Sequence, residues 1–364
     1  MANLMTAFTP IKYSLKLVEL LYNDTLYTSI TNTNYEGAIK DSGDRVRVRT
    51  AGKITLSAYT KGMALSKQDL TPTSEDLIVD QQQYFAFIVD DIDAFQNDIT
   101  AITEYAKNTK NDMAALIDTD LLAYMAKGVN SANMVGTAYA TGTVGVAATT
   151  GVVTGTSTVF TAGMVGGIFT ATGLTGSFLV TAFSSTTSIT IKDLDGVAYT
   201  GGVLTAGAAY SIAGAVAIAL TKSNVYAQLV SVRTQLGKSL ASKDGRFIVV
   251  NAQFEGLLLQ APEFIPAVQG AYDSVVVSGL IGKIAGFQVF TSELVAGDNT
   301  TGYWFVAGTK DYCSFALQIM KTSVVPSEAD PNSFVSTAKG LLVYGRKIFA
   351  GTRSRGAVLR ATLA

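Results

Sequence analysis

Histidine is absent from the 364 residues, and that omission removes the Ser-His-Asp and Cys-His catalytic arrangements together with every histidine-containing zinc site. Cysteine is nearly absent. The single Cys313 stands beside Tyr312, Phe315 and Ala316, the setting of a small buried hydrophobe rather than a nucleophile, and one cysteine excludes a disulfide framework within the chain. Charge is scarce as well: Asp, Glu, Lys and Arg make up 15% of the chain and hydrophobic residues 48%, against a usual charged share of about 25%. So few charges cannot coat a solitary protein of this size, and much of its surface is expected to be covered by further copies of the chain. Neither sign of charge is in excess. A formal net charge of −1 argues against a free nucleic-acid binder, whose affinity comes from surplus Lys and Arg set against phosphates. Residues 1–16 contain no long apolar core after a basic patch, and the Gly-Ala-rich run Ala206–Leu220 is too short to span a bilayer. The expectation is a soluble chain made in the cytoplasm, with no membrane partner.

What the chain does have is led by a helical stripe from Asp90 to Gly128, in which Ile92, Phe95, Ile99, Ile102, Ala106, Met113, Ile117, Leu121 and Tyr124 recur at steps of three, four or seven. Asp90, Asp91 and Asp93 stand where a cap and first-turn carboxylates belong, and Lys127 and Gly128 close the far end. At 1.5 Å per residue the rod would reach about 55 Å, with its weakest point between Ile102 and Met113. Such length suits a spine in an assembled subunit.

Before this helix, residues 1–35 read as an arm with one short amphipathic helix (Ile11, Leu15, Val18, Leu21, Tyr22). Arg45-Val46-Arg47-Val48-Arg49 alternates strictly, three arginines on one strand face and two valines on the other. Lys53–Tyr59 is a second alternating run, so residues 36–75 read as a hairpin-like excursion. Strands at Leu77–Val79 and Tyr84–Val89 then lead into the helix, an α+β order. Residues 36–75 hold seven Lys/Arg against five Asp/Glu, whereas residues 76–120 hold ten Asp/Glu and two Lys, so a basic excursion is followed by an acidic helix.

After Gly128 the composition changes. Residues 129–214 contain 15 of the 34 glycines and only three charged residues, Lys192, Asp193 and Asp195. Short strands (Ser157–Phe160, Ile168–Thr170, Phe178–Phe183, Ser188–Ile191) between turn signals describe a small barrel or sandwich, in preference to low-complexity disorder. A helix with Val225, Leu229, Val232 and Leu236 on one face follows, then a buried strand Phe247–Val250, a helix through Phe254–Leu259, and strands at Lys283–Thr291, Tyr303–Gly308, Ser323–Val325 and Leu341–Phe349. No acidic residue follows Asp330, while Lys339, Arg346, Lys347, Arg353, Arg355 and Arg360 are all basic, which makes the tail a cationic β element.

These parts stand in a familiar order. Tyr35-Glu36-Gly37, Gly43-Asp44-Arg45-Val46-Arg47-Val48-Arg49, Tyr59-Thr60-Lys61-Gly62, Tyr84-Phe85-Ala86-Phe87 with Val89-Asp90-Asp91, Asp244-Gly245-Arg246, Ile281 through Val289 and Lys339-Gly340-Leu341 resemble, in register over nearly the whole chain, the major capsid proteins of tailed double-stranded DNA phages. These have the Hong-Kong-97-type fold. The resemblance implies an arm at 1–35, an extended loop at 36–75, a peripheral domain at 76–135 with 336–364, and an axial domain at 216–335. Residues 136–215 would be an inserted β domain, whose pattern from Val153-Thr154-Gly155 to Tyr210-Ser211-Ile212 looks like a small β-module that recurs in phage virion proteins. It further implies a structural, non-enzymatic protein of the phage head, made in the host cytoplasm, that assembles into hexamers and pentamers. Its partners would be itself, scaffold and portal proteins, and packaged DNA held by weak unspecific contact. An encapsulin-type cellular compartment would share the fold; a hydrolase is remote without histidine or a glycine-rich phosphate loop.

No metal or cofactor is expected. Helix capping explains Asp90, Asp91 and Asp93 without an ion, and Asp193-Leu194-Asp195-Gly196 reads as a hairpin turn, since the closing Glu of a calcium loop is missing. The candidate site is an inter-subunit contact in which Arg45, Arg47 and Arg49 meet Asp93, Asp98, Glu104 and Asp112 of a neighbour's helix.

Overall fold

The computed structural model describes residues 26–39, 45–50, 54–69, 72–90, 100–262, 282–325 and 335–363. The arm's helical pattern (Ile11 to Tyr22), Lys53, and Asp91, Asp93 and Asp98 lie outside the described residues. In order, the chain forms α1 (Tyr27–Ile30), α2 (Glu36–Ile39), β1 (Arg45–Thr50), β2 (Thr73–Ile78), β3 (Gln81–Asp90) and α3 (Thr100–Lys127). Next come β4 (Met134–Val135), β5 (Thr137–Tyr139), β6 (Thr143–Val146), β7 (Val152–Thr156), β8 (Ile168–Ala171), β9 (Phe178–Ser185), β10 (Ser188–Asp193), β11 (Leu204–Ala208) and β12 (Tyr210–Val216). The remainder is β13 (Ile218–Leu220), α4 (Val225–Lys238), β14 (Arg246–Val250), α5 (Ala252–Leu259), β15 (Lys283–Ile284), β16 (Phe287–Thr291), β17 (Gly297–Asp298), β18 (Gly302–Thr309), β19 (Ser314–Val325), β20 (Val335–Lys347) and β21 (Gly356–Leu363). Two compact units result, one taking Asn32–Lys110 with Ser314–Gly351, the other Asp24–Thr31, Asn111–Cys313 and Thr352–Ala364.

In the first unit β1 and β2 form an antiparallel ribbon from Arg45↔Ile78 to Thr50↔Thr73. The alternation turns Val46 and Val48 onto a small core of Leu77, Val79, Ala316, Val343 and Phe349, where Tyr35 meets Phe349 edge to face at 6.2 Å. β19, β20 and β3 make a three-stranded antiparallel sheet. One of its strands corrects the sequence reading. β19 starts at Ser314 rather than Ser323, and the period-2 signal is missing there because Ser314–Leu317 is buried throughout. Asp90 ends β3, paired with Val335, and the residues between it and Thr100 lie outside the described residues. The run expected as a strand at Lys53–Tyr59 is non-repetitive from Ile54 on: its residues are exposed, and the Gln68 side chain, rather than a partner strand, bonds the Thr55 amide and carbonyl (3.1 and 2.7 Å).

α3 runs without a break through the weak stretch between Ile102 and Met113 and is about 42 Å long at 1.5 Å per residue. Its buried arc is Ala114, Ile117, Asp118, Leu121, Leu122 and Met125, a small rotation from the arc read in sequence, since Met113 and Tyr124 are only half-buried.

The second unit holds two sheets. A mixed sheet, in the order β13-β21-β18-β14-β16-β15, has β14 parallel to β16 and β21 central between β13 and β18. α4 buries Val225, Leu229, Val232 and Leu236, the four residues its sequence period selects. The strand expected over Lys283–Thr291 is instead a tight hairpin: Ala285 (φ 48°) and Gly286 (φ 83°) adopt the left-handed pair that a two-residue turn requires. The other sheet, in the order β11-β6-β7-β10-β9-β8-β12-β5, encloses its own core of Val144, Val153, Phe160, Phe169, Ile189, Ile191 and Ile212 among others. Ser157–Phe160 is not a strand here, because Ser157 turns the chain at φ 58° and drops Phe160 into that core. Within 336–364, β20 pairs with β3 and β19, and β21 pairs with β18, β13 and β4.

Candidate assembly interface

The ribbon's second face carries Arg45, Arg47 and Arg49 at alternate positions. Opposite them, Asp76 is gripped by Arg47 through two bonds, Nε to Oδ1 at 2.8 Å and Nη2 to Oδ2 at 3.0 Å, while Arg45 Nη1 stands 3.9 Å from the same carboxylate. The hydrogen bond from Arg47 holds the Asp76 carboxyl below the usual carboxylate range and raises Arg47 in turn. Two guanidinium groups thus share one carboxylate, and Arg49 has no ion partner among the described residues. The sequence reading did not foresee Asp76 as a partner.

From this ribbon extends the loop 54–69. It turns at Lys61-Gly62, where Met63 N bonds Thr60 O at 3.0 Å and Gly62 has φ +88°. Ile54, Leu56, Tyr59, Met63 and Leu65 are all more than half exposed, Leu56 at 94%. Solitary proteins seldom expose such a contiguous apolar row, which marks a surface made to be covered.

Of the four acidic residues expected to face the arginines, Glu104 and Asp112 lie on α3, Asp112 exposed, and Asp93 and Asp98 lie outside the described residues. The structure therefore gathers the arginines on one face but leaves the acidic set only partly placed. Among the described residues no group of Asp, Glu and Cys could hold a metal ion. Asp193 accepts Gly196 N through its carbonyl (2.8 Å) and Thr200 Oγ1 through its carboxylate (2.7 Å), and Asp195 is bonded to Arg353. Cys313 is fully buried.

Two charged residues that sequence reasoning passed over are central. The first is Arg360, 1% exposed, at the point where the second sheet of this unit leaves and rejoins the mixed sheet. β4 runs parallel to β21 at Val358 and Leu359, and β13 does so at Ala361 to Leu363, so Arg360 sits between the outgoing and the returning strand. Those two connections are adjacent, since β5 pairs with β12 from Thr137↔Val216 to Tyr139↔Ile212. The guanidinium donates to the carbonyls of Gly214 (2.6 Å), Ala215 (3.1 Å), Thr301 (2.6 Å) and Gly163, and lies 4.4 Å from the Trp304 ring centroid. Burial pushes its pKa down to about 10, which leaves it a cation at neutral pH. Its signal was a lone charge inside the apolar run Ala357–Ala361.

The second is Asp118, 6% exposed on α3, whose Oδ2 accepts the Leu26 amide at 3.1 Å. Burial raises its carboxyl to about 6, against the opposing pull of the Leu26 and Tyr27 amides. Its signal was an acid at i+4 from Ala114 and i−4 from Leu122, on the buried arc.

The sequence model of the phage capsid protein family matches residues 177–359, half of the chain. The chain belongs to the phage capsid protein family. No curated protein matches it. Among solved structures, a chain of Mycobacterium phage Che8 is 18% identical with a TM-score of 0.59, covering 92% of this chain and 91% of that one. A capsid chain of the cyanophage P-SCSP1u (11% identity, TM-score 0.56, 93% and 89% covered) and one from the mature capsid of bacteriophage PhiM1 (12%, 0.56, 93% and 87%) are similar. These likenesses establish the Hong-Kong-97-type α+β fold. The capsid protein is a structural component of the phage head, and nothing in the comparisons favours an encapsulin.

Proposed function

We propose that the capsid protein closes an icosahedral shell by assembling into hexamers and pentamers around packaged double-stranded DNA, with a scaffold and a portal protein as partners during assembly. One observation carries this reading: the excursion from β1 to β2 presents five apolar side chains and an arginine face with no core of its own. Ordering such a segment costs conformational entropy that only a covering surface offsets. A second copy of the chain is that surface. The apolar row packs on the neighbour, and Arg45 and Arg49, flanking the Arg47–Asp76 fork, meet the neighbour's acidic residues Asp93, Asp98, Glu104 and Asp112.

In this reading residues 1–35 are the arm, 36–75 the extended loop, 76–135 with 336–364 the peripheral domain, 216–335 the axial domain, and 136–215 an inserted domain projecting from the shell. Contact with DNA is weak and unspecific, as the net charge of −1 requires. The test is to express the capsid protein with and without its scaffold and to follow sedimentation. Leu56→Ser with Leu65→Ser is expected to leave subunits folded but unable to form shells. Shells of normal yield from that double variant would overturn the assignment of the loop as the contact.

A further inference from the structure

We infer that Asp118 is an acid-closed clasp: its buried carboxyl fastens the segment Leu26–Thr31 to the long helix α3, and the fastening tightens when the carboxyl takes up a proton.

The geometry is that of a cap supplied from a distance. α1 is a single helical turn whose own N-cap residue, Leu26, offers no side-chain oxygen to the free amides at its start. The Asp118 carboxylate, 92 residues away in sequence, takes that role by accepting Leu26 N at 3.1 Å. The turn is then sealed: Tyr27 and Ile30 are fully buried, Thr31 is 2% exposed, and Thr31 Oγ1 closes the turn onto Tyr27 O at 2.6 Å. One carboxylate oxygen is thereby used. The other, Oδ1, is buried with no hydrogen-bond partner. A charged carboxylate half satisfied in an apolar site is costly, and a neutral carboxylic acid at the same place keeps the accepting oxygen while shedding most of that cost.

Among the described residues, no charged group on the clasped segment or within one helical turn C-terminal to Asp118 other than Asp120 supplies an alternative. The titratable group on the clasped segment is the Tyr27 phenol. On α3, Asp112, Asp120 and Lys127 stand two or more positions away, and one helical turn to either side of Asp118 are Ala114, Ala115, Leu121 and Leu122. Burial alone raises the carboxyl, and the Leu26 and Tyr27 amides oppose it.

The sign follows from linkage. The carboxyl titrates at about 6 when clasped and near 3.9 when the segment is released into water. The clasped state therefore binds the proton more tightly. Closure strengthens as pH falls through 6, gains its full extent below the released value, and is weakest above pH 7. The interval of about two pH units between these values corresponds to a change of roughly 100-fold in the closing equilibrium.

Hydrogen exchange of the Leu26–Thr31 amides in the full-length protein, corrected for intrinsic exchange at each pH, tests the clasp. Protection is expected to rise roughly 50-fold between pH 7.5 and 4, while amides in the middle of α4 change far less. Asp118→Asn, which keeps an accepting oxygen and cannot titrate, is expected to abolish this dependence. PH-independent protection in the wild type, or an unchanged dependence in Asp118→Asn, overturns the proposal. If the variant does not fold, the wild-type series decides alone.

Discussion

Replacing Arg360 with methionine keeps most of the side-chain volume and removes the guanidinium that joins the β5–β12 connection to the mixed sheet. Four carbonyls, those of Gly163, Gly214, Ala215 and Thr301, lose a charged donor, and Trp304 loses the cation 4.4 Å from its ring centroid. Hydrogen bonds to charged groups contribute about 1.5–3 kcal/mol each, and a desolvated cation–π contact about 2 kcal/mol. Against them stands the cost of holding a guanidinium in a site without a carboxylate, several kcal/mol. The net loss from Arg360→Met is thus at least about 3 kcal/mol, at the high end for a single substitution. At about 2–4 °C per kcal/mol for a unit of this size, melting should fall by roughly 10 °C. Trp304 is the only tryptophan, so its emission reports on this contact directly, and a thermal scan followed by fluorescence reads both quantities. Arg360→Lys, with three donors on a point charge, should lie between. An Arg360→Met protein that melts within about 1 °C of the parent, with unchanged tryptophan emission, would refute the idea that this cation holds the junction.

Other expectations follow from the same structure. Reversing Arg45, Arg47 and Arg49 to Glu should leave subunits folded with near-normal melting yet block assembly, and a control carrying only Arg47→Glu, which breaks the Asp76 fork alone, should assemble better; equal shell yields from the triple variant and the parent would reject the charge contact. The excised fragment 136–215, which contains a complete core around Phe160, Phe169 and Ile191, should show β-type circular dichroism and cooperative melting, whereas a random-coil spectrum would count against independent folding. Substituting Gly286 by Val should destabilise the β15–β16 hairpin by about 1–2 kcal/mol, because a β-branched residue is forced to φ 83°; a melting temperature unchanged by this substitution would argue against the turn geometry.

Much of this was legible wherever one face of an element meets one core. α4 buries the four residues its period picks out, and β1 alternates because valines face inward and arginines outward. Legibility failed where that simple relation breaks. Ser314–Leu317 is buried on both faces and shows no alternation. Lys53–Tyr59 alternates, yet Gln68 occupies the backbone groups a neighbouring strand would need. Arg360 and Asp118 were missed for a common reason: their partners are backbone groups 59 to 197 residues away in sequence, and local pattern carries no trace of contacts that distant.

Electron microscopy of the purified full-length protein, expressed alone and with its scaffold, tests the capsid assignment most directly. Closed shells built of hexameric and pentameric clusters, disassembled by Leu56→Ser with Leu65→Ser, are the predicted result. A monodisperse monomer at high concentration under both conditions would contradict it.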